Sequence, residues 1–194
     1  MNKTILILLF LSFGLNNISQ PFYDSLCIAA IELTKKDVVY DPAYFSIDYP
    51  NGDIPSDRGV CTDVIIRAYR KCGVDLQKEV HEDMNSNFES YPKIWGLSST
   101  DKNIDHRRVP NLMKFFDRQN ATKPITDNPN DYLPGDIVCW NLGGGITHIG
   151  IVVNIKSRDG QRNMIVHNIG EGQVMEDCLF DFKIIGHYRY NNLF

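Results

Sequence analysis

The chain has 194 residues, a length suited to one domain. Its 43% hydrophobic and 23% charged residues make an ordinary globular balance, sufficient for a packed core. A formal net charge of −4 and the lack of any long basic run exclude a surface built to neutralise a phosphate backbone, so nucleic acid is not an expected partner.

Residues 1–20 read as a secretory signal peptide. Lys3 supplies a short positive start, Ile5 to Leu15 is almost wholly apolar, and Asn16, Asn17, Ser19 and Gln20 follow at once. The apolar run is too short to span a bilayer as a helix, which needs about 20 residues. The remaining 21–194 is expected to be a single domain, periplasmic or secreted, with no stable membrane span after signal removal. Five cysteines follow: Cys27, Cys61, Cys72, Cys139 and Cys178. An odd number leaves at least one thiol without an intramolecular partner, and no spacing selects a disulfide pairing. No CxxC pair marks a structural zinc site.

Tyr23 to Lys36 has helical content, and Val38 to Tyr40 is strand-like. Residues 41–59, rich in Asp, Pro, Gly and Tyr, predict a long ordered loop. From Cys61 to Cys72, apolar or small residues at 61, 64, 65, 68, 69 and 72 mark one helical face. Arg67, Arg70 and Lys71 lie on the other face and at its C-terminal end, and Gly73 supplies the stop. Further helices are expected over Leu76 to Asn87 and Val109 to Gln119, with 91–108 irregular between them. After Pro134 the pattern changes to short β-rich runs: Asp136 to Asn141, Thr147 to Asn154, Met164 to Asn168 and a last strand at Gly186 to Tyr190. Helices first and strands afterwards predict an α+β domain, its N-terminal helices packed on one face of a C-terminal antiparallel sheet.

Cys61 stands at a helix start, behind the turn Ser56-Asp57-Arg58-Gly59. Unpaired N–H groups and the positive helix end there lower a thiol's pKa and can hold an oxyanion. The alternative is a buried cysteine on the apolar stripe. A thiol nucleophile needs a base, and the base an orienting partner. His148 opens a strand after Gly143-Gly144-Gly145, and His167 lies on the next strand, where antiparallel pairing brings side chains about 5 Å apart. Asn168 is the second candidate for orienter. Each histidine is otherwise a core residue with satisfied hydrogen bonds.

Four blocks carry a family resemblance. Cys61-Thr62-Asp63 with its apolar run to Tyr69 and Gly73, Leu133-Pro134-Gly135-Asp136, Thr147-His148-Ile149-Gly150-Ile151, and Val166-His167 resemble, in order and spacing, the NlpC/p60 cell-wall peptidases. A closer resemblance rests on Tyr40-Asp41-Pro42, Tyr49-Pro50, Gly59 to Asp63, Ile104 to Asn111 and Gly186-His187-Tyr188-Arg189. These are similar to the bacterial domain-of-unknown-function family 1287, grouped with the NlpC/p60-like, papain-type fold.

The resemblance implies an exported cysteine hydrolase with Cys61, His148 and His167 as catalytic residues, acting on an amide or peptide bond, with peptidoglycan stem peptides as the natural partner. It implies no metal or organic cofactor. Tyr49, about a dozen residues before the nucleophile, takes the place of a tyrosine that shapes the site in those peptidases. Asp63 departs from the peptidase pattern, which has Ser-Gly after the cysteine; next to a thiolate it would oppose the pKa depression. Arg107 and Arg108 are candidates to dock a substrate carboxylate, against a solvated surface pair. Two other readings remain: acyl transfer by the same residues to an amine or lipid, and a protein of another class that binds metal through Cys61, His148, His167 and Asp63 or binds cell wall without catalysis.

Overall fold

The computed structural model describes residues 20–192; apart from Gln20, the signal segment expected over 1–20 lies outside them. The architecture is the α+β arrangement expected. Helix α1 runs through 20–33 and buries Tyr23, Leu26, Cys27, Ala30 and Leu33 at helical spacing. It stops before Lys36, as Thr34 turns its hydroxyl back to the Ile31 carbonyl at 2.8 Å. Strands β1 (Val39–Tyr40) and β2 (Arg58–Gly59) form a small parallel pair that closes the long loop between them.

Helix α2 (Cys61–Lys71) is buried over its first nine residues, including Arg67. The face that carries Arg67 and Arg70 is covered by the loop. Arg67 binds Asp53 through Nε at 3.0 Å, and Arg70 Nη2 donates to the Gly52 carbonyl at 2.8 Å. Helix α3 (Leu76–Ser86) starts on Asp75, whose carboxylate accepts from the Gln77 and Lys78 N–H groups. Asp75 also accepts from the Asn51 N–H at 2.7 Å, and Gln77 Oε1 from the Gly52 N–H at 2.8 Å. The loop at 41–57 is therefore ordered by side chains of two helices. Helix α4 (Val109–Arg118) begins with Pro110 in its first turn and buries Leu112, Phe115 and Phe116.

The sheet is antiparallel in the order β6-β5-β4-β3-β7: β3 is Ile137–Asn141, β4 Thr147–Lys156, β5 Asn163–His167, β6 Val174–Glu176 and β7 Lys183–Tyr188. β6 was not foreseen, and β7 starts and ends earlier than expected. Ile137, Cys139, Ile149, Ile151, Val153 and Val166 meet the helices. Val138, Trp140, Val152 and Ile165 form the opposite face, closed by Tyr132 and Leu179. Trp140 Nε1 donates to the Leu179 carbonyl at 2.9 Å, which fixes that cover. All five cysteines are free thiols. No helix among the described residues is long and apolar enough to cross a membrane.

Asp136 sets the entry to β3. Its carboxylate accepts from the Leu133 N–H at 2.7 Å, Arg189 Nη1 at 2.7 Å and His187 Nε2 at 2.9 Å. Gly135 just before it has φ +90° and touches α1, where a Cβ would fall 2.7 Å from Tyr23. Asp136 thus joins the turn, the last strand and the first helix. Asp136→Ala leaves the Arg189 cation and two donors without their acceptor, and we expect a loss of about 3 kcal/mol in urea unfolding. A loss below about 1 kcal/mol would show that the network contributes little to the fold.

Candidate functional site

Asp63 and Arg107 position the start of α2. Both side chains are only 3% exposed. Asp63 accepts from the Val60 N–H at 2.7 Å and from Arg107 Nε and Nη2 at 2.9 and 3.0 Å. Arg107 comes from the 3-10 turn Asp105–Arg107 and also donates to the Ala43 carbonyl at 3.0 Å. Thr62 Oγ1 donates to the Arg107 carbonyl at 3.0 Å. Thr62 and Asp63, where the sequence departs from Ser-Gly, thus tie the helix start to the segment before α4. Arg107 also lines the cleft at Cys61, with its guanidinium engaged by Asp63 and the Ala43 carbonyl.

Cys61, 7% exposed, sits at the first position of this helix and lines a cleft of about 420 Å³. Tyr40, Trp95, Arg108 and Thr147 line the same cleft. Arg108 stacks on Trp95, 4.1 Å from the ring centroid, and its Nη1 is 3.3 Å from Asp105 Oδ1. Tyr49 does not line the cleft and instead meets His81 edge-on at 5.1 Å between ring centroids. The tyrosine at the cleft is Tyr40; burial raises its pKa first, then Cys61 and Asp63.

Thr147, next to His148, brings β4 to the cleft. The sheet register explains how His148 meets His167. Ile151 pairs with Val166 and Val152 with Ile165, so the next step sets His167 opposite Gly150, diagonal to His148 on the same face. A Cβ on Gly150 would fall 2.7 Å from Ile165 Cγ2 and 3.2 Å from His167 Cβ. The missing side chain lets the His167 ring lean across. His148 Nε2 and His167 Nδ1 are 2.9 Å apart. Trp140, directly across on β3, lies against the His148 ring at 5.8 Å between centroids.

The chain of contacts continues to Glu176, which sequence reasoning missed. His167 Nε2 is 2.9 Å from Glu176 Oε2. The Gly-rich segment Ile169 to Gln173 was the available signal, since a turn after β5 returns the chain beside His167. Asn168 is not in this chain: its Nδ2 donates to the Gly59 carbonyl at 3.2 Å, tying the end of β5 to the turn before Cys61.

A carboxylate only accepts, so it selects the His167 tautomer with the proton on Nε2. His167 Nδ1 then accepts from His148 Nε2–H. The remaining nitrogen of His148, Nδ1, is left with a lone pair.

Electrostatics correct one expectation. Burial pushes the Cys61 thiol up to about 12, and Asp63 adds to the rise. Backbone N–H groups of Ile149, Thr62 and Cys61 pull it down but do not win. Burial, then His167, pushes His148 down to about 3. Burial also lowers His167, against the raising effect of Glu176. Burial thus favours the neutral thiol and the neutral imidazoles over a preformed ion pair.

With the geometry in view, comparison with known proteins is direct. The model of the family described as "Domain of unknown function (DUF1287)" matches residues 27–190. The chain belongs to this family. A relative from Escherichia coli (strain K12), described as "Uncharacterized protein YijF", is 55% identical over 151 residues, 78% of this chain and 73% of that protein. A solved structure from Staphylococcus aureus subsp. aureus Mu50, described as similar to lipoprotein, NLP/P60 family, matches 89% of this chain and 43% of its own length at 14% identity, with a TM-score of 0.41. This DUF1287 chain thus spans under half of that protein, and a likeness at that score carries no argument about its chemistry.

The neutral resting thiol has a measurable consequence. Only the thiolate alkylates, and its fraction grows about tenfold per pH unit below the thiol's pKa. Iodoacetamide labelling of Cys61, followed by peptide mass spectrometry, should therefore accelerate steadily from about pH 7 to about pH 10. A plateau already reached near neutral pH would show a preformed thiolate instead.

Proposed function

We propose that this protein is an exported cysteine hydrolase that cleaves an amide bond in peptidoglycan stem peptides. The observation that carries the reading is the buried chain His148–His167–Glu176 leading from the strand beside the Cys61 cleft to a carboxylate. Such a chain holds one imidazole nitrogen deprotonated and aimed, which is what a thiol nucleophile requires of its base.

In this reading Cys61 Sγ attacks the carbonyl carbon while its proton passes to His148 Nδ1. The transfer accompanies attack, because neither charged form is stable at rest. N–H groups at the start of α2 stabilise the oxyanion. The C–N bond breaks, and His148 protonates the leaving amine. Water then attacks the thioester, giving its proton to His148; the acid leaves and the thiol is restored. His167 and Glu176 hold His148 in the productive tautomer. Arg108 on its Trp95 platform is the remaining cation in the cleft, suited to a peptide carboxylate. Export rests on the N-terminal signal pattern and gives access to the wall.

The test is digestion of purified peptidoglycan and synthetic stem peptides, with products identified by mass spectrometry. Wild type should release free amine and free acid. Cys61→Ala should release neither, and His148→Ala should lose at least about 100-fold in rate. Identical product profiles for wild type and Cys61→Ala would refute the proposal.

A further inference from the structure

Cys178 stands beside this chain of contacts and takes no part in the proposed hydrolysis. It is 9% exposed, and its Sγ lies 3.6 Å from His167 Nε2. The same nitrogen faces Glu176 Oε2 at 2.9 Å. Thiol, imidazole and carboxylate ligand atoms all fall within 4.8 Å of one another, and this is the one such group among the described residues. Each element of the placement is specific. Glu176 ends β6, Cys178 follows two residues later, and His167 ends the neighbouring strand.

A thiolate, an imidazole and a carboxylate are the donor types zinc takes. A tetrahedral ion with Zn–S of about 2.3 Å and Zn–N of about 2.05 Å sets sulfur and nitrogen about 3.6 Å apart. That is the separation present between Cys178 and His167. Nitrogen and oxygen would sit about 3.4 Å apart, so Glu176 must withdraw by about half an ångström. Its side chain is 49% exposed and on a three-residue edge strand, where such a shift is cheap. A water would complete the fourth position.

We propose that His167, Glu176 and Cys178 form a zinc site that switches the His148 base off. Zinc on His167 Nε2 takes the place of the proton that Glu176 holds there. A neutral His167 must then carry its proton on Nδ1 and donate to His148 Nε2. His148 in turn carries its proton on Nδ1, so the lone pair has moved away from the side that the thiol requires. The proton count balances: each histidine keeps one, and the Cys178 thiol releases one to solvent as its sulfur binds the metal. The consequence for hydrolysis rests on the function proposed above, whereas the binding and the tautomer change do not.

The experiment is calorimetric titration of the full chain with zinc chloride, alongside nitrogen-15 spectra of the histidine rings. Wild type and Cys61→Ala should bind one zinc equally. Cys178→Ser should weaken binding by more than about 100-fold, beyond the range seen when only a group outside the ligand set is lost. Zinc should move the His148 proton from Nε2 to Nδ1. Because Cys178→Ser also changes a buried position, cobalt substitution in the wild-type chain serves as the second measurement, and a sulfur-to-cobalt charge-transfer band is required. Binding that is lost in Cys61→Ala or unaffected in Cys178→Ser, an absent charge-transfer band, or zinc bound with the tautomer unchanged would each overturn the proposal. If Cys61→Ala retains zinc while wild type hydrolyses nothing, the metal site stands and only the hydrolase reading fails.

Discussion

The whole site depends on how the start of α2 is held. Asp63 sits two residues past Cys61, and its carboxylate gathers three donors: the Val60 N–H and two nitrogens of Arg107. Both ionised groups are out of water, so neither is stable without the other; losing one partner of such a pair costs about 3–5 kcal/mol. Arg107 then reaches the Ala43 carbonyl, and Thr62 reaches back to the Arg107 carbonyl. One ion pair therefore fixes the helix start, the loop ahead of it and the segment leading into α4. The Cys61 cleft lies among these three pieces.

The cost of that burial appears in the protonation states. A helix N-terminus favours a thiolate by a modest amount, typically well under 2 kcal/mol. Taking the sulfur out of water opposes it more strongly, and Asp63 acts in the same direction. His148 is driven the same way, toward its neutral form. What the structure offers in place of charge is aim. Glu176 selects one His167 tautomer, which selects one His148 tautomer, and Trp140 packs against the ring. Gly150 is part of the same device, since a side chain there would collide with His167 and Ile165.

Much of this was legible in the sequence. The helix from Cys61 was readable because its apolar positions keep a 3.6-residue period and Gly73 ends it. Four of the five strands of the main sheet were readable from β-rich runs set between turn residues, the last with shifted bounds, and His148 and His167 fell where antiparallel pairing brings side chains together. β6 was missed because three residues show too little alternation, and Glu176 went with it. Arg107 was weighed as a substrate-docking residue or one of a solvated surface pair, because composition cannot show which carboxylate or loop will cover a guanidinium. Tyr49 was chosen by its distance along the chain, but β1 pairing with β2 folds the loop out and Tyr40, at the end of β1, is the tyrosine at the cleft. Distance along the chain failed where long-range pairing decided.

The central claim is that the site rests neutral, with the proton of His148 on Nε2 and its Nδ1 bare. Nitrogen-15 chemical shifts of the imidazole rings report this directly, because protonated and bare ring nitrogens resonate far apart. In the metal-free protein, His148 should show one protonated nitrogen, Nε2, unchanged between about pH 5 and about pH 8, and His167 should carry its proton on Nε2 at neutral pH. A doubly protonated His148 at neutral pH, or a proton on its Nδ1, would contradict the account.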